Sequence, residues 1–272
     1  MIIRDIEKIS ELREVEELQK EIWGIDDREV FPALALIPMK EVGGVLIGAF
    51  DGERMAGFVF GFPGYEKGRA ILHSDMLAVR PEYRAHGLGY KLKLAQRDRA
   101  LASGIDAITW TFDPLQSVNA HLNFTKLGVI AHSYKVNYYG ETTSFLHRMG
   151  TDRLWVTWLL NSERVKQRIA DGVAAKTAAL SGTPAVVHVG ENEEPVTTDE
   201  SLGQGFVAIE IPDQINLLLT RDIELAARWR DATRAAFIKA LAVGYVVQEF
   251  YLLTRNGQKL GAYVLERGGG VS

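Results

Sequence analysis

The sequence predicts an α/β protein, and three observations predict it. Apolar runs of strand length alternate with segments of helical periodicity, glycine-bearing turns separate them, and 272 residues suffice for one large or two ordinary domains. Apolar residues make up 47% and charged residues 24%, ordinary values for a chain that buries a core. No window approaches the roughly 18 consecutive apolar residues needed to span a membrane. Arg4, Asp5, Glu7 and Lys8 near the start are not followed by an apolar signal core, so no membrane and a cytoplasmic location are expected. Zero cysteines exclude disulfides, thiolate metal sites and a cysteine nucleophile. The net charge of -4 argues against a nucleic-acid partner, which normally calls for a basic face.

Residues 1–5 read as a short opening strand. Residues 7–22 are helical, because Ile9, Leu12, Val15 and Leu18 recur at steps of three and four among charges. Residues 31–41 form a second helix, interrupted by Pro32 and Pro38. The runs 45–50 and 55–62 flank Asp51-Gly52-Glu53-Arg54, a hairpin signal, and Pro63-Gly64 is expected to close that hairpin. A strand over 70–79 leads through Arg80-Pro81-Glu82-Tyr83 to a helix over 90–102, set by Leu92, Leu94, Ala95 and Leu101. A strand over 105–112 follows, then a helix over 115–126 stopped by Gly128. Strands at 129–136 and 144–149 complete a first domain, 1–150.

Residues 151–272 read as a second α/β segment. It holds a strand at 154–160, a short helix at 162–170, an acidic loop at 190–195 and a strand at 206–211. A helix at 222–242 carries Leu225, Trp229, Ala232, Ala236 and Leu241, and a hairpin turns about Asn256-Gly257. Both Phe124-Thr125-Lys126 and Phe237-Ile238-Lys239 precede a glycine and then an aromatic strand. That echo is either a partial repeat of the first domain or generic helix-glycine-strand chemistry.

The most informative stretch is Arg84-Ala85-His86-Gly87-Leu88-Gly89. It lies between a strand and a helix, where the first helical N–H groups lack intrahelical partners and favour an anion. Gly87 and Gly89 let a ligand approach the backbone closely. Arg80, Arg84, Lys91, Lys93 and Arg97 add local positive charge. The spacing is neither a dinucleotide fingerprint nor a P-loop.

The pattern R/Q-x-x-G-x-G/A, preceded by a strand and by Val79-Arg80-Pro81-Glu82-Tyr83, resembles the pyrophosphate-binding motif of the GNAT superfamily of acyl-CoA-dependent N-acyltransferases. The resemblance implies a mixed, splayed central sheet flanked by helices, with a C-terminal α/β extension. It implies acetyl-CoA or succinyl-CoA as acyl donor, no metal, and a small-molecule amine as acceptor. In that frame the diphosphate rests on the main chain of Arg84, Ala85, His86, Gly87, Leu88, Gly89 and Tyr90. The edge formed by Met76, Leu77, Ala78 and Val79 pairs with the pantetheine arm, as a peptide adds to a sheet edge.

Direct attack needs a neutral amine, and free ammonium groups titrate near 8 to 10.4, so a base is expected. His73 falls where many GNAT enzymes carry a strand-borne Glu, and period-two alternation puts Asp75 on the same face. Either is a candidate catalytic residue. The helix that in the family often reads N-x-x-A-x-x-x-Y has Ser117 for Asn and Phe124 for Tyr, which removes the standard general acid. Asn119, Asn123, Tyr134, Tyr138, Tyr139 and water stay open as substitutes, with Asn119 also a cofactor contact. Asp113 and Tyr138 are candidate substrate contacts; the alternative for Asp113 is a cap on the helix after Leu115.

The segments L-H-S-D-M-L-A-V-R-P-E-Y, W-T-F-D-P-L and D-R-L-W-V-T-W are similar to a GNAT branch linked with N-acylation of amino acids, including succinyl transfer. Two other roles compete: a CoA-binding module without turnover, and transfer to a protein or peptide amine. Exposed strands near Tyr138 and Trp155 permit a homodimer without requiring one.

Overall fold

A computed structural model describes residues 1–144, 147–171, 182–198 and 202–269. The chain divides into two compact units. The first comprises Met1–Trp110, Glu141–Arg148 and Leu159–Asn161; the second comprises Thr111–Gly140, Met149–Trp158 and Ser162–Ser272. No described helix is long and apolar enough to cross a membrane.

In the first unit β1 (Ile2–Asp5) pairs antiparallel with β2 (Val45–Asp51), β2 with β3 (Arg54–Glu66), and β3 with β4 (Arg69–Val79). Strand β5 (Ala107–Phe112) then runs parallel to β4. Helix α1 (Ile9–Trp23) buries Leu12, Val15, Leu18 and Ile22, the stripe its periodicity predicts. These side chains pack with Leu36 of α2 (Ala33–Glu41) onto Phe58, Phe60, Met76 and Ala78. Helix α3 (Leu88–Ala102) packs against β2, β3 and β4.

The expectation that Pro63-Gly64 closes a hairpin is corrected: β3 continues to Glu66, with Pro63 opposite Leu72 and Gly64 opposite Ile71. Pairing of β2 with β3 ends at Val45↔Gly61, so Pro63 faces an unpaired side and its missing N–H costs no ladder bond. The turn falls instead at Lys67-Gly68, both at positive φ (49° and 79°).

In the second unit α4 (Ser117–Ala120) continues into a π-helical turn, His121–Leu127, and then β6 (Ile130–Lys135). The expected partner of β6 at 144–149 is also corrected. Phe145 and Leu146 lie outside the described residues, and 147–149 form a turn. Strand β7 (Arg153–Leu159) is the true partner, in register from Ile130↔Thr157 to Lys135↔Arg153. Buried Asp152 closes the intervening loop by accepting the Asn137 N–H at 2.9 Å, while the Tyr138 N–H donates to the Thr151 carbonyl at 3.0 Å.

The remaining elements are α5 (Glu163–Asp171), β8 (Ala185–Val189), β9 (Pro195–Thr197), β10 (Phe206–Pro212), α6 (Ile215–Arg221), α7 (Ile223–Ala242), β11 (Tyr245–Arg255) and β12 (Gln258–Arg267). Their strands follow the order β7-β6-β11-β12-β10-β8-β9. Strands β6 and β11 meet antiparallel at Ala131↔Val247. These residues stand at equivalent positions after Gly128 and Gly244, so the echoed segments face one another about that pair.

Phe60 is fully buried between the α1 side chains and the sheet. Phe60→Ala should therefore destabilise the first unit by about 3–5 kcal/mol, measured as a lowered midpoint in urea unfolding.

Candidate active site

Strands β4 and β5 form parallel pairs only at Leu72↔Ile108 and His73↔Thr109 among the described residues. Beyond His73 the β5 side of β4 is open, while Met76, Leu77, Ala78 and Val79 pair with β3 on the other side. Among the described residues no strand pairs with β4 along that side. Such an edge accepts an extended ligand.

A β-bulge marks where this edge begins. Phe62 faces His73, Gly61 faces Ser74, and Phe60 faces Met76, which leaves Asp75 as the extra residue. Paired residues share a face, so His73 and Met76 lie on the α1 face, and Ser74 lies on the α3 face. The bulge thus interrupts the alternation that placed Asp75 beside His73. A Cβ on Gly61 would stand 2.8 Å from the His73 carbonyl and 2.9 Å from Gln96 Nε2. Only glycine lets β3 approach so closely there.

His73 is half-buried against Phe62, with ring centroids 5.5 Å apart. Its Nδ1 lies 3.0 Å from Thr109 Oγ1. Burial, reinforced by the Lys93 charge, pushes the imidazole pKa down to about 4. The ring is therefore neutral at pH 7 and able to accept a proton. Asp75 is exposed to solvent, yet crowding by protein raises its carboxyl above the usual range.

Past β4, a 3-10 turn (Pro81–His86) carries Arg84, Ala85 and His86 and leads to Gly87 at φ +65°. That left-handed conformation ends the turn and starts α3, and a Cβ on Gly87 would meet open space. The need for glycine is conformational. The 3-10 turn spends part of its amide groups on its own carbonyls. Helix geometry leaves the N–H groups of Leu88, Gly89 and Tyr90 without intrahelical acceptors; Lys91 is the first to bond back, to the Gly87 carbonyl at 3.2 Å. A glycine cradle, a helix N-terminus and an open strand edge fit the diphosphate and pantetheine of an acyl-CoA.

The surrounding charge is sparser than the sequence implied. Arg80 is engaged by Glu21, by Glu14 at 3.8 Å and by the Met55 carbonyl at 2.9 Å. Arg97 donates to the Leu160 carbonyl at 3.0 Å. Lys93 points into the core. Exposed Arg84 donates to the Val79 carbonyl at 3.1 Å through Nε, leaving its terminal nitrogens for an anion.

The other candidates lie in the second unit. Asn119 is exposed on α4. Tyr138 is exposed, its ring 4.9 Å from that of Tyr139. Of the two readings of Asp113 the structure has the cap: Oδ1 accepts the Leu115 N–H at 3.0 Å, and both oxygens also accept from the Arg230 guanidinium at 2.8 and 2.7 Å. Arg230 occupies the place that the sequence assigned to a substrate ammonium. Of the open general acids, Tyr134 is committed to Asp152 at 2.7 Å, and burial plus that carboxylate raise its pKa far above the ordinary range. In the sequence Lys93 reads only as local positive charge, because a lone lysine at a helical position gives no signal of burial.

Residues 9–128 match the model of the acetyltransferase (GNAT) family. No curated protein sequence matches the chain. Among solved structures the chain is similar to three N-acetyltransferases at low identity. The ribosomal-protein-S18-alanine N-acetyltransferase from Escherichia coli is 16% identical, with 59% of this chain and 94% of that chain covered and a TM-score of 0.46. The aminoglycoside 6'-N-acetyltransferase from Enterococcus faecium is 16% identical, covering 60% and 98%, at a TM-score of 0.43. An aminoglycoside 6'-N-acetyltransferase complexed with coenzyme A is 16% identical, covering 60% and 98%, at 0.44.

Arg230 is 3% exposed and Asp113 12% at their side chains. Removing one partner strands a buried charge, so Asp113→Asn should cost about 3–5 kcal/mol, read as a lower thermal midpoint.

Proposed function

We propose that this chain, whose residues 9–128 match the model of the acetyltransferase (GNAT) family, acylates the amino group of a small molecule with His73 as proton acceptor. The match to that family supports acetyl-CoA-dependent N-acetyl transfer; the base, the acceptor and a wider choice of donor are read from the residues of the chain. The observation that carries it is a neutral, half-buried imidazole, anchored on Thr109, two residues before the bulge that opens the β4 edge.

When bound, the acyl-CoA supplies an activated thioester. The N–H groups of Gly87, Leu88, Gly89 and Tyr90, with Arg84, would hold its diphosphate. The open edge at Met76, Leu77, Ala78 and Val79 would align the pantetheine arm. A main-chain N–H at the bulge is then placed to polarise the thioester carbonyl, a type of contact worth roughly 2.7–4 kcal/mol. As the C–N bond forms and the C–S bond breaks, His73 would take the proton that the amine loses, the CoA sulfur would leave as a thiolate protonated by water, and Thr109 holds the ring's orientation through Nδ1. Asp75 is the second candidate for that proton. Its raised pKa brings it nearer to a useful range, but it stands exposed on the bulge.

An amino acid is the proposed acceptor and succinyl-CoA the donor to test beside acetyl-CoA. The support is the likeness of segments 72–83, 110–115 and 152–158 to the amino-acid-acylating branch.

The test is thiol release from acetyl-CoA and succinyl-CoA with a panel of L- and D-amino acids. The absence of cysteine removes any protein background in a thiol-reactive assay. His73→Ala should lower kcat about 10²–10⁴-fold with unchanged CoA affinity, whereas Gly87→Val should weaken CoA binding. Tight CoA binding without thiol release for any amine would show a binding module instead.

A further inference from the structure

We propose that Lys93 is a positioning residue for the transfer: from the α3 side of the sheet it fixes Ser74, and through Ser74 the bulge at Asp75 that directs His73. This inference rests on the reading of β4 as the reacting strand.

Lys93 is 2% exposed. Its ammonium donates to Ser74 Oγ at 2.6 Å and to Gln96 Oε1 at 3.3 Å, and it stands 3.8 Å from the centre of the Trp110 ring. No carboxylate lies within ion-pairing distance of it among the described residues. The ionisable groups on β4 nearby are His73, on the other face, and Asp75. The packed elements otherwise present Gly61 from β3, Trp110 from β5 and Gln96 from α3 itself. A buried cation held only by a hydroxyl, an amide and an aromatic face is expensive. Burial alone brings its pKa down to about 7.

The placement gives that cost a use. Ser74 sits between His73 and the bulged Asp75, and Gly61 opposite is the residue whose missing Cβ admits both the His73 carbonyl and Gln96. A hydrogen bond from the rigid helix to Ser74 pins the strand at the one position where its ladder shifts. The same positive charge adds to burial in holding the His73 ring neutral, so the charge and the imidazole are coupled across the sheet.

Stability separates this role from a merely structural one. Unfolded Lys93 binds its proton up to about pH 10.4, whereas the folded residue releases it near 7. Between those values the unfolded state holds more protons, so stability rises with pH and the burial cost is greatest below 7. Lys93→Met should therefore keep or raise the melting temperature at pH 6, with the gain fading toward pH 10.

The same variant should lose about 10- to 100-fold in kcat at unchanged CoA affinity. Its His73 imidazole should titrate about half to one pH unit higher by NMR. Ser74→Ala should lower kcat in the same direction, and Ser74→Thr, which restores a hydroxyl, should recover it. His73→Ala in the parallel assay keeps the two claims apart. Wild-type turnover in that variant overturns the base assignment. Loss in His73→Ala, together with wild-type rate and titration in Lys93→Met, overturns the role of Lys93 alone. A Lys93→Met protein that melts well below the parent at pH 6, with Ser74→Ala fully active, reduces Lys93 to a packing residue and likewise overturns it.

Discussion

The brevity of the parallel ladder between β4 and β5 governs the first unit. Two residue pairs bind these strands, and then the backbone of β4 shifts register at Asp75 and continues with one side unpaired. An unpaired edge within a fold is a liability unless something is meant to occupy it. Here the adjoining turn ends in a left-handed glycine at the mouth of α3, so a helix N-terminus and an unpaired strand edge lie at one end of one strand. The bulge and the open edge belong to the same departure from regular pairing.

That departure is held by close contacts. Gly61 gives β3 room to press against the His73 carbonyl, and Lys93 reaches across from α3 to the next residue, Ser74. Ordinary strands need neither device. Their presence at the shifted position of β4 indicates that its geometry is maintained against the tendency of a ladder to pair regularly. In the second unit charge is used differently. Asp113 with Arg230, and Asp152 with Arg234 and Tyr134, form hydrogen-bonded ion pairs whose carboxylates are largely buried.

Much of this was legible from residue order. The amphipathic stripe of α1, the hairpin about Asp51-Gly52, the strand-glycine-helix passage at 84–89 and the position of His73 all rest on local periodicity or local turn chemistry, which sequence carries directly. Two local rules misled. Pro63-Gly64 reads as a terminator, yet it runs within β3 because its neighbour on that side had already ended. Residues 144–149 have strand-like composition, yet the register of β6 selects Arg153–Leu159.

By itself the sequence determined the order of elements, the conformational demand at Gly87 and the set of chemically able side chains, because each depends on near neighbours in the chain. Tertiary structure alone decided which of those side chains are free. Asp113 and Arg80 are neutralised by partners distant in sequence, Lys93 is drawn into the core, and Asp75 is set out of alternation by a mismatch with another strand. Burial and pairing are properties of contacts between remote segments, and no local pattern records them.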